Sequence, residues 1–167
     1  DLGACSTRLS SIPVGAVEEW CRLEPALRAI RHHWRDVIIS LDTFRADIAD
    51  KALAAGADII NDVYGGEGDL GIWDVISKYR VPYILTHSTS IPCADDSDRV
   101  LSTIVGDLQR KLDILHKRGI ADVIIDPGFG FGKTLEQNYR LLQDLQVLKY
   151  LHAPILVGVS RKSMLYK

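Results

Sequence analysis

Short, unbroken apolar runs rich in β-branched residues alternate along this chain with longer segments of helical periodicity, and few folds accept that order. The runs are "VIISLD" (37–42), "DIINDV" (58–63), "PYILTH" (82–87), "DVIIDP" (122–127) and "PILVGVS" (154–160). Each is about five to six residues long, the usual strand length, and apolar on consecutive positions, as strands buried on both faces of a parallel sheet are. Between them, "RADIADKALAAG" (45–56) ends on a capping glycine, and "LGIWDVISKYR" (70–80) follows a Gly-rich turn. Residues 97–119 place Leu101, Ile104, Leu108, Leu112 and Leu115 on one stripe and stop at Gly119. Residues 134–150 open on Thr134 with Gln137 three places on, a capping-box pairing. Residues 14–34 are helical in pattern, with Pro25 expected to kink or interrupt the helix.

Strict β–α alternation implies right-handed crossovers and a parallel sheet. Two architectures satisfy it, a doubly wound open sheet and a (β/α)8 TIM barrel. Both put their chemistry at the C-terminal ends of the strands. No linker, charge run or low-complexity stretch divides the 167 residues, so 1–167 reads as one domain. A whole barrel takes about 250 residues. Asp1-Leu2-Gly3 reads as the end of a strand without an initiator methionine, and Lys167 follows directly on a helix start. The expectation is a partial barrel, cut at both ends from a longer protein.

A net charge of −2 argues against a general nucleic-acid binder, so any anion site must be local. No apolar run approaches the ~18 residues of a membrane span, and no signal peptide opens the chain. Cys5, Cys21 and Cys93 are odd in number and lack metal-site spacing, which suits reduced thiols in a cytoplasmic protein.

"IIDPGFGFGKT" (124–134) ends like a P-loop but is not one. The pattern G-x-x-x-x-G-K-[ST] needs a glycine where Pro127 stands. Gly128, Gly130 and Gly132 also miss the dinucleotide fingerprint by one position. The polar residues at the strand ends are more telling: Asp42, Asn61, Asp62, His87 and Asp126. A carboxylate after a buried run is costly unless it is bonded. One of them, Asp42 before "TFRADI", could simply cap a helix. Convergent Asp42, Asn61 and Asp126 would instead make a dry wall of acceptors with one amide donor. That wall suits a flat heterocycle rich in N–H groups. Cations stand nearby in sequence. Arg161 and Lys162 lie between a strand and a helix start, a phosphate position, and Lys133 starts another helix. Lys133 could equally be a solvated surface lysine, and Arg161 could pair with a structural carboxylate. "STR" (6–8) puts a hydroxyl and a guanidinium on a polar loop suited to a second substrate. His87 reads as a hydrogen-bonded strand-end histidine, and His32, His33 and His152 as surface.

Taken together and in order, "DLGACSTR", "SLDTF", "INDVYGG", "DPGFGFGKT" and "GVSRKSML" resemble the dihydropteroate synthase family over essentially the whole chain. The resemblance implies a TIM barrel, running here from the end of its second strand through its seventh. It implies condensation of 6-hydroxymethyl-7,8-dihydropterin pyrophosphate with p-aminobenzoate to dihydropteroate and pyrophosphate, with Mg2+ as cofactor and a homodimer as the assembly. By motif, Asp42, Asn61, Asp126 and Lys162 resemble the pterin-pocket residues. Thr7, Phe131 and Ser163 resemble the p-aminobenzoate side, Arg161 an anion contact, and Arg8 and Lys162 the catalytic cations. The family's metal-binding asparagine would lie on a strand upstream, and its Arg-x-His pyrophosphate grip on a strand downstream. Leu9-Ser10 replaces the usual Pro-Gly, and Thr86 and Ser88 stand in the two methionine positions of the family's Met-His-Met. The implied mechanism is dissociative: pyrophosphate leaves, the pterin pocket stabilises the cation, and a neutral aromatic amine attacks. Two other readings share the acid–amide–acid pocket, a pterin-dependent methyltransferase and a non-catalytic pterin-binding remnant.

Overall fold

The computed structural model describes residues 1–4, 14–89, 99–160, 162, 164 and 165. They fall into two compact units, Asp1–Ile84 and Leu85–Lys167.

The first unit is built on parallel strands β1 (Leu2–Gly3), β2 (Ser40–Asp42) and β3 (Ile59–Asp62). Gly3 stands opposite Asp42 on β1 and β2, and Asp42 opposite Asn61 on β2 and β3. Helices α1 (Ala16–His33), α2 (Ala46–Ala54) and α3 (Ile72–Tyr79) alternate with the strands, as the apolar pattern predicts. They bury Leu23, Leu27, Ile48, Ala49, Ala52, Ile72 and Ile76 along with Leu41 and Ile60 of the sheet. Helix α1 is continuous through Pro25, so the helix is not interrupted there. Pro25 and Cys21, four residues before it, are both exposed, so the carbonyl that loses its partner lies on the solvent side.

Strand β2 is shorter than the apolar run that announces it. Val37 and Ile38 are exposed and lie outside the strand. The Arg31 guanidinium explains this: it donates to the carbonyls of Arg35, Val37 and Gly56 and to the Asp58 carboxylate, which ties residues 35–38 into a loop.

Strand β4 (Tyr83–Thr86) starts in the first unit, where the Tyr83 hydroxyl donates to Asp62 at 2.7 Å and accepts from Trp73 Nε1 at 3.1 Å. Asp62 also takes the N–H groups of Tyr64 and Gly66, so this fully buried carboxylate organises the turn after β3 and is not a ligand group. Tyr83→Phe takes away the oxygen that accepts from Trp73 Nε1 and removes one donor from Asp62. Urea unfolding should show a loss of about 2 kcal/mol; an unchanged midpoint would refute the role given to this hydroxyl.

The second unit holds the end of β4, then α4 (Val100–Lys117), β5 (Val123–Asp126) and α5 (Leu135–Gln143). Ile104, Leu108, Leu112 and Leu115 of α4 are buried, as their spacing predicts, while Leu101 on the same stripe is only half-buried. The capping box is present: Gln137 N–H donates to Thr134 Oγ1, and Thr134 N–H to Gln137 Oε1. The helix expected over 134–150 is not continuous. It breaks at Asp144 and continues as a 3-10 helix, Leu145–Leu151. Side chains three apart eclipse in that geometry, which puts Leu148 and Leu151 on one face, and both are buried.

The run 154–160 is also not a full strand. Ile155 makes a single bridge to Ile125, with Ile125 N–H to Pro154 O and Leu156 N–H to Ile125 O. Farther along the run the Val159 carbonyl accepts the Lys162 N–H at 3.3 Å, and Val157 is exposed. Among the described residues no helix is long and apolar enough to cross a membrane.

Candidate functional site

In the first unit the strand register brings Asp42 and Asn61 side by side. Asp42 is not a helix cap. The N-cap of α2 is Arg45, and the first helical N–H, of Ala46, goes to Asp69. Among the described residues the Asp42 carboxylate has no hydrogen-bond partner. Burial, with Asp62 and then Glu19 adding repulsion, pushes its pKa up to about 6. Asn61 donates through Nδ2 to Asp1 Oδ2 at 3.2 Å, and Asp1 also accepts from Ser40 Oγ at 2.6 Å. One N–H of the amide foreseen for a ligand is therefore turned to Asp1, which leaves Asn61 its second N–H and its carbonyl to offer.

A buried ion pair fixes the loop that carries Asp42. Glu19 of α1, 1% exposed, accepts from Thr43 Oγ1 at 2.7 Å and pairs with the Arg45 guanidinium. Arg45 also donates to the Val14 carbonyl and lies over the Phe44 ring.

In the second unit Asp126 ends β5, and its backbone carbonyl accepts the His87 N–H at 2.8 Å. Its side chain takes the Gly128 N–H at 2.8 Å. Burial raises the Asp126 pKa, opposed by that N–H and by Lys162 and Lys133.

The glycines that follow serve the protein's own backbone. Gly128 has φ +70°, and a Cβ there would lie 2.0 Å from the His87 carbonyl oxygen. At Gly132, φ +64°, a Cβ would lie 2.0 Å from that of Thr89. Lys133 closes the loop from inside, donating to the carbonyls of Gly128 at 2.8 Å and of His87 and Phe131 at 3.2 Å. It is therefore not a solvated surface lysine, since its ammonium is part-buried and taken up by backbone carbonyls. Burial brings its pKa down to about 7 against the pull of Asp126, and Lys162 adds to the fall.

That loop presents two of the expected ligand groups. Lys162 Nζ donates to the Phe129 carbonyl at 2.7 Å and sits 4.4 Å from the centre of the Phe131 ring. Burial lowers its pKa, and Asp126 acts in the opposite direction. A carboxylate, an ammonium and an aromatic face are thus gathered around one strand end.

His87 is buried, and its Nδ1 finds no hydrogen-bond partner among the described residues, contrary to the expectation for a strand-end histidine. Burial, with Lys133 next, lowers its pKa to about 4. Thr7, Arg8, Arg161 and Ser163, with Leu9 and Ser10, lie outside the described residues. So do Cys5 and Cys93, while Cys21 is free and exposed. Asp1, Glu19 and the inward role of Lys133 escaped the sequence. Asp1 carried little signal, since it precedes β1 and does not end a strand as Asp42 does. Glu19 carried none, since it reads as one more helix acid. Among the described residues no three His, Cys, Asp or Glu side chains gather to hold a metal ion.

Parallel strands joined by helices, with partly buried carboxylates at the strand ends, define an α/β protein of the class that gathers its polar groups at the C-terminal ends of the strands. The model of the pterin binding enzyme family matches residues 1–167, and the chain belongs to that family. It is 38% identical over 167 residues to the dihydropteroate synthase of Clostridium beijerinckii, covering 99% of this chain and 61% of that protein. It is 38% identical over 173 residues to that of Synechocystis sp., covering 100% and 60%. Among solved structures, dihydropteroate synthase from Clostridium difficile, crystallised in the presence of pteroic acid, superposes with TM-score 0.91 at 34% identity. That match covers 97% of this chain and 61% of the other. The Xanthomonas albilineans enzyme with 4-aminobenzoic acid gives TM-score 0.89 at 34% identity, covering 97% and 59%. The fold is that of the (β/α)8 pterin-binding barrel, with five strands among the described residues. The chain spans about three fifths of the length of these relatives.

Proposed function

We propose that the full-length protein is a dihydropteroate synthase, joining 6-hydroxymethyl-7,8-dihydropterin pyrophosphate to p-aminobenzoate with release of pyrophosphate. The observation that carries the reading is the grouping of Asp126, Lys162 and Phe131 around the end of β5. Asp126 accepts from the amino-pyrimidine edge of the pterin. Lys162, held by the Phe129 carbonyl, faces the charge that develops as pyrophosphate departs. Phe131 offers its ring face to the aromatic amine. The amine is already a neutral nucleophile at pH 7, so the protein's task is positioning and fixed electrostatics. Asp42 and Asn61 belong to the same pterin-binding set by motif. Mg2+ would accompany the pyrophosphate and help to neutralise its charge; among the described residues no three His, Cys, Asp or Glu side chains gather to hold it. A homodimer in the cytoplasm completes the reading, supported by the resemblance alone. The Lys162 ammonium, near enough to Asp126 for their charges to act on one another, favours a pyrophosphate-bearing pterin over the methyltransferase alternative, whose substrate has no such leaving group.

Calorimetric titration of the pterin pyrophosphate into the full-length protein tests this. Asp126→Ala should weaken binding about a hundredfold, the loss of a bidentate charged contact, with the melting temperature little changed. Equal affinity in the variant would end the assignment.

A further inference from the structure

One buried polar group beside Asp126 is left unused by the fold. Thr86, the last residue of β4, is 1% exposed, and among the described residues its hydroxyl oxygen has no hydrogen-bond partner. Its position follows from the backbone. The bond from Thr43 N–H to Asn61 O accompanies the pairing of Asp42 with Asn61. The equivalent bond from His87 N–H to Asp126 O sets Thr86 opposite Asp126 in the same way. Paired residues on neighbouring strands share a face and stand about 5 Å apart. The two flanking residues, Leu85 and His87, go to the other face.

Asp126 does not use this hydroxyl, since the hydrogen bond that its side chain makes is to the Gly128 N–H. A buried hydroxyl without a partner is unfavourable, and a valine of the same shape would avoid the cost. The family's residue at this point, by the resemblance above, is a methionine, which carries no O–H. This chain therefore keeps a donor where its relatives have a thioether.

We propose that Thr86 is a specificity-determining residue whose hydroxyl donates to the ring carbonyl next to the N–H edge that Asp126 takes. The inference rests on the pterin reading above. An amino-oxo-pyrimidine ring carries its carbonyl immediately beside the ring N–H, so a carboxylate and a hydroxyl on adjacent strands match an adjacent donor and acceptor on the ring.

The test is titration of pterin into the full-length wild-type protein and its Thr86→Val and Thr86→Ser variants, with thermal melts of each. Thr86→Val should bind about tenfold more weakly, the loss of one neutral hydrogen bond, while melting no lower than wild type. Thr86→Ser should bind within about twofold of wild type. If valine binds as well as threonine, or serine as poorly as valine, the inference falls and the pterin reading stands. Weaker binding by a valine variant that also melts well below wild type would mark Thr86 as structural and overturn the inference. A wild-type protein that does not bind pterin overturns both.

Discussion

Replacing Arg45 by methionine should lower the stability of this protein by about 3–5 kcal/mol, the usual cost of leaving one buried charge without its partner. Glu19 is almost wholly enclosed and has two partners on the β2–α2 loop, the Thr43 hydroxyl and the Arg45 guanidinium. With the guanidinium gone, one hydroxyl must balance a full negative charge away from water. Replacing Glu19 and Arg45 together by methionine should recover most of the loss, because the desolvation cost goes with the charges. Chemical denaturation of the single and double variants reads this directly. A single variant within 1 kcal/mol of wild type would show that the pair is dispensable. The consequence reaches the site, since the same loop follows Asp42 and Glu19 is one of the charges that raise its pKa.

Asp42→Asn should make the protein more stable at pH 7.5 while costing it pterin affinity. Folding raises this carboxyl from 3.8 to about 6, mainly by burial, and that displacement is worth roughly 3 kcal/mol. The sign follows from which state holds the proton. Between the two pKa values the folded protein keeps the proton and the unfolded chain does not. The stabilising contribution is complete below about pH 3.8 and is lost as pH rises through about 6. An asparagine has no charge to bury, so the variant's advantage should be largest above pH 6 and vanish near pH 4. Urea titrations at pH 4 and 7.5 compare the two regimes, and calorimetry at pH 7.5 should show pterin binding weakened about a hundredfold. A variant no more stable than wild type at pH 7.5 would mean that Asp42 is satisfied in the fold and is not held ready for a ligand.

Much of this was legible in the residues themselves, because it depends on neighbours in sequence. The stripe of Ile104, Leu108, Leu112 and Leu115 announces α4, and Thr134 with Gln137 announces the start of α5. The acids at the ends of β2 and β5 stand out because a buried run makes a carboxylate costly. Other features depend on partners far along the chain. Val37 and Ile38 look like strand until Arg31 takes the surrounding carbonyls. The glycines of 128–132 look like a cradle for phosphate until the His87 and Thr89 carbonyls are found against them. Lys133 looks like a ligand until three carbonyls claim its ammonium.

By itself, then, the order of residues determined the class of fold, the strand ends where the chemistry lies and the family, since periodicity and short motifs are local properties of a chain. Tertiary structure alone decided which polar groups are already spent. It turned the Asn61 amide to Asp1 and Lys133 to the loop backbone, and it left Asp42 and the Thr86 hydroxyl without a partner among the described residues. A hydrogen bond is a matter of distance and angle, and those exist only once the strands are set side by side.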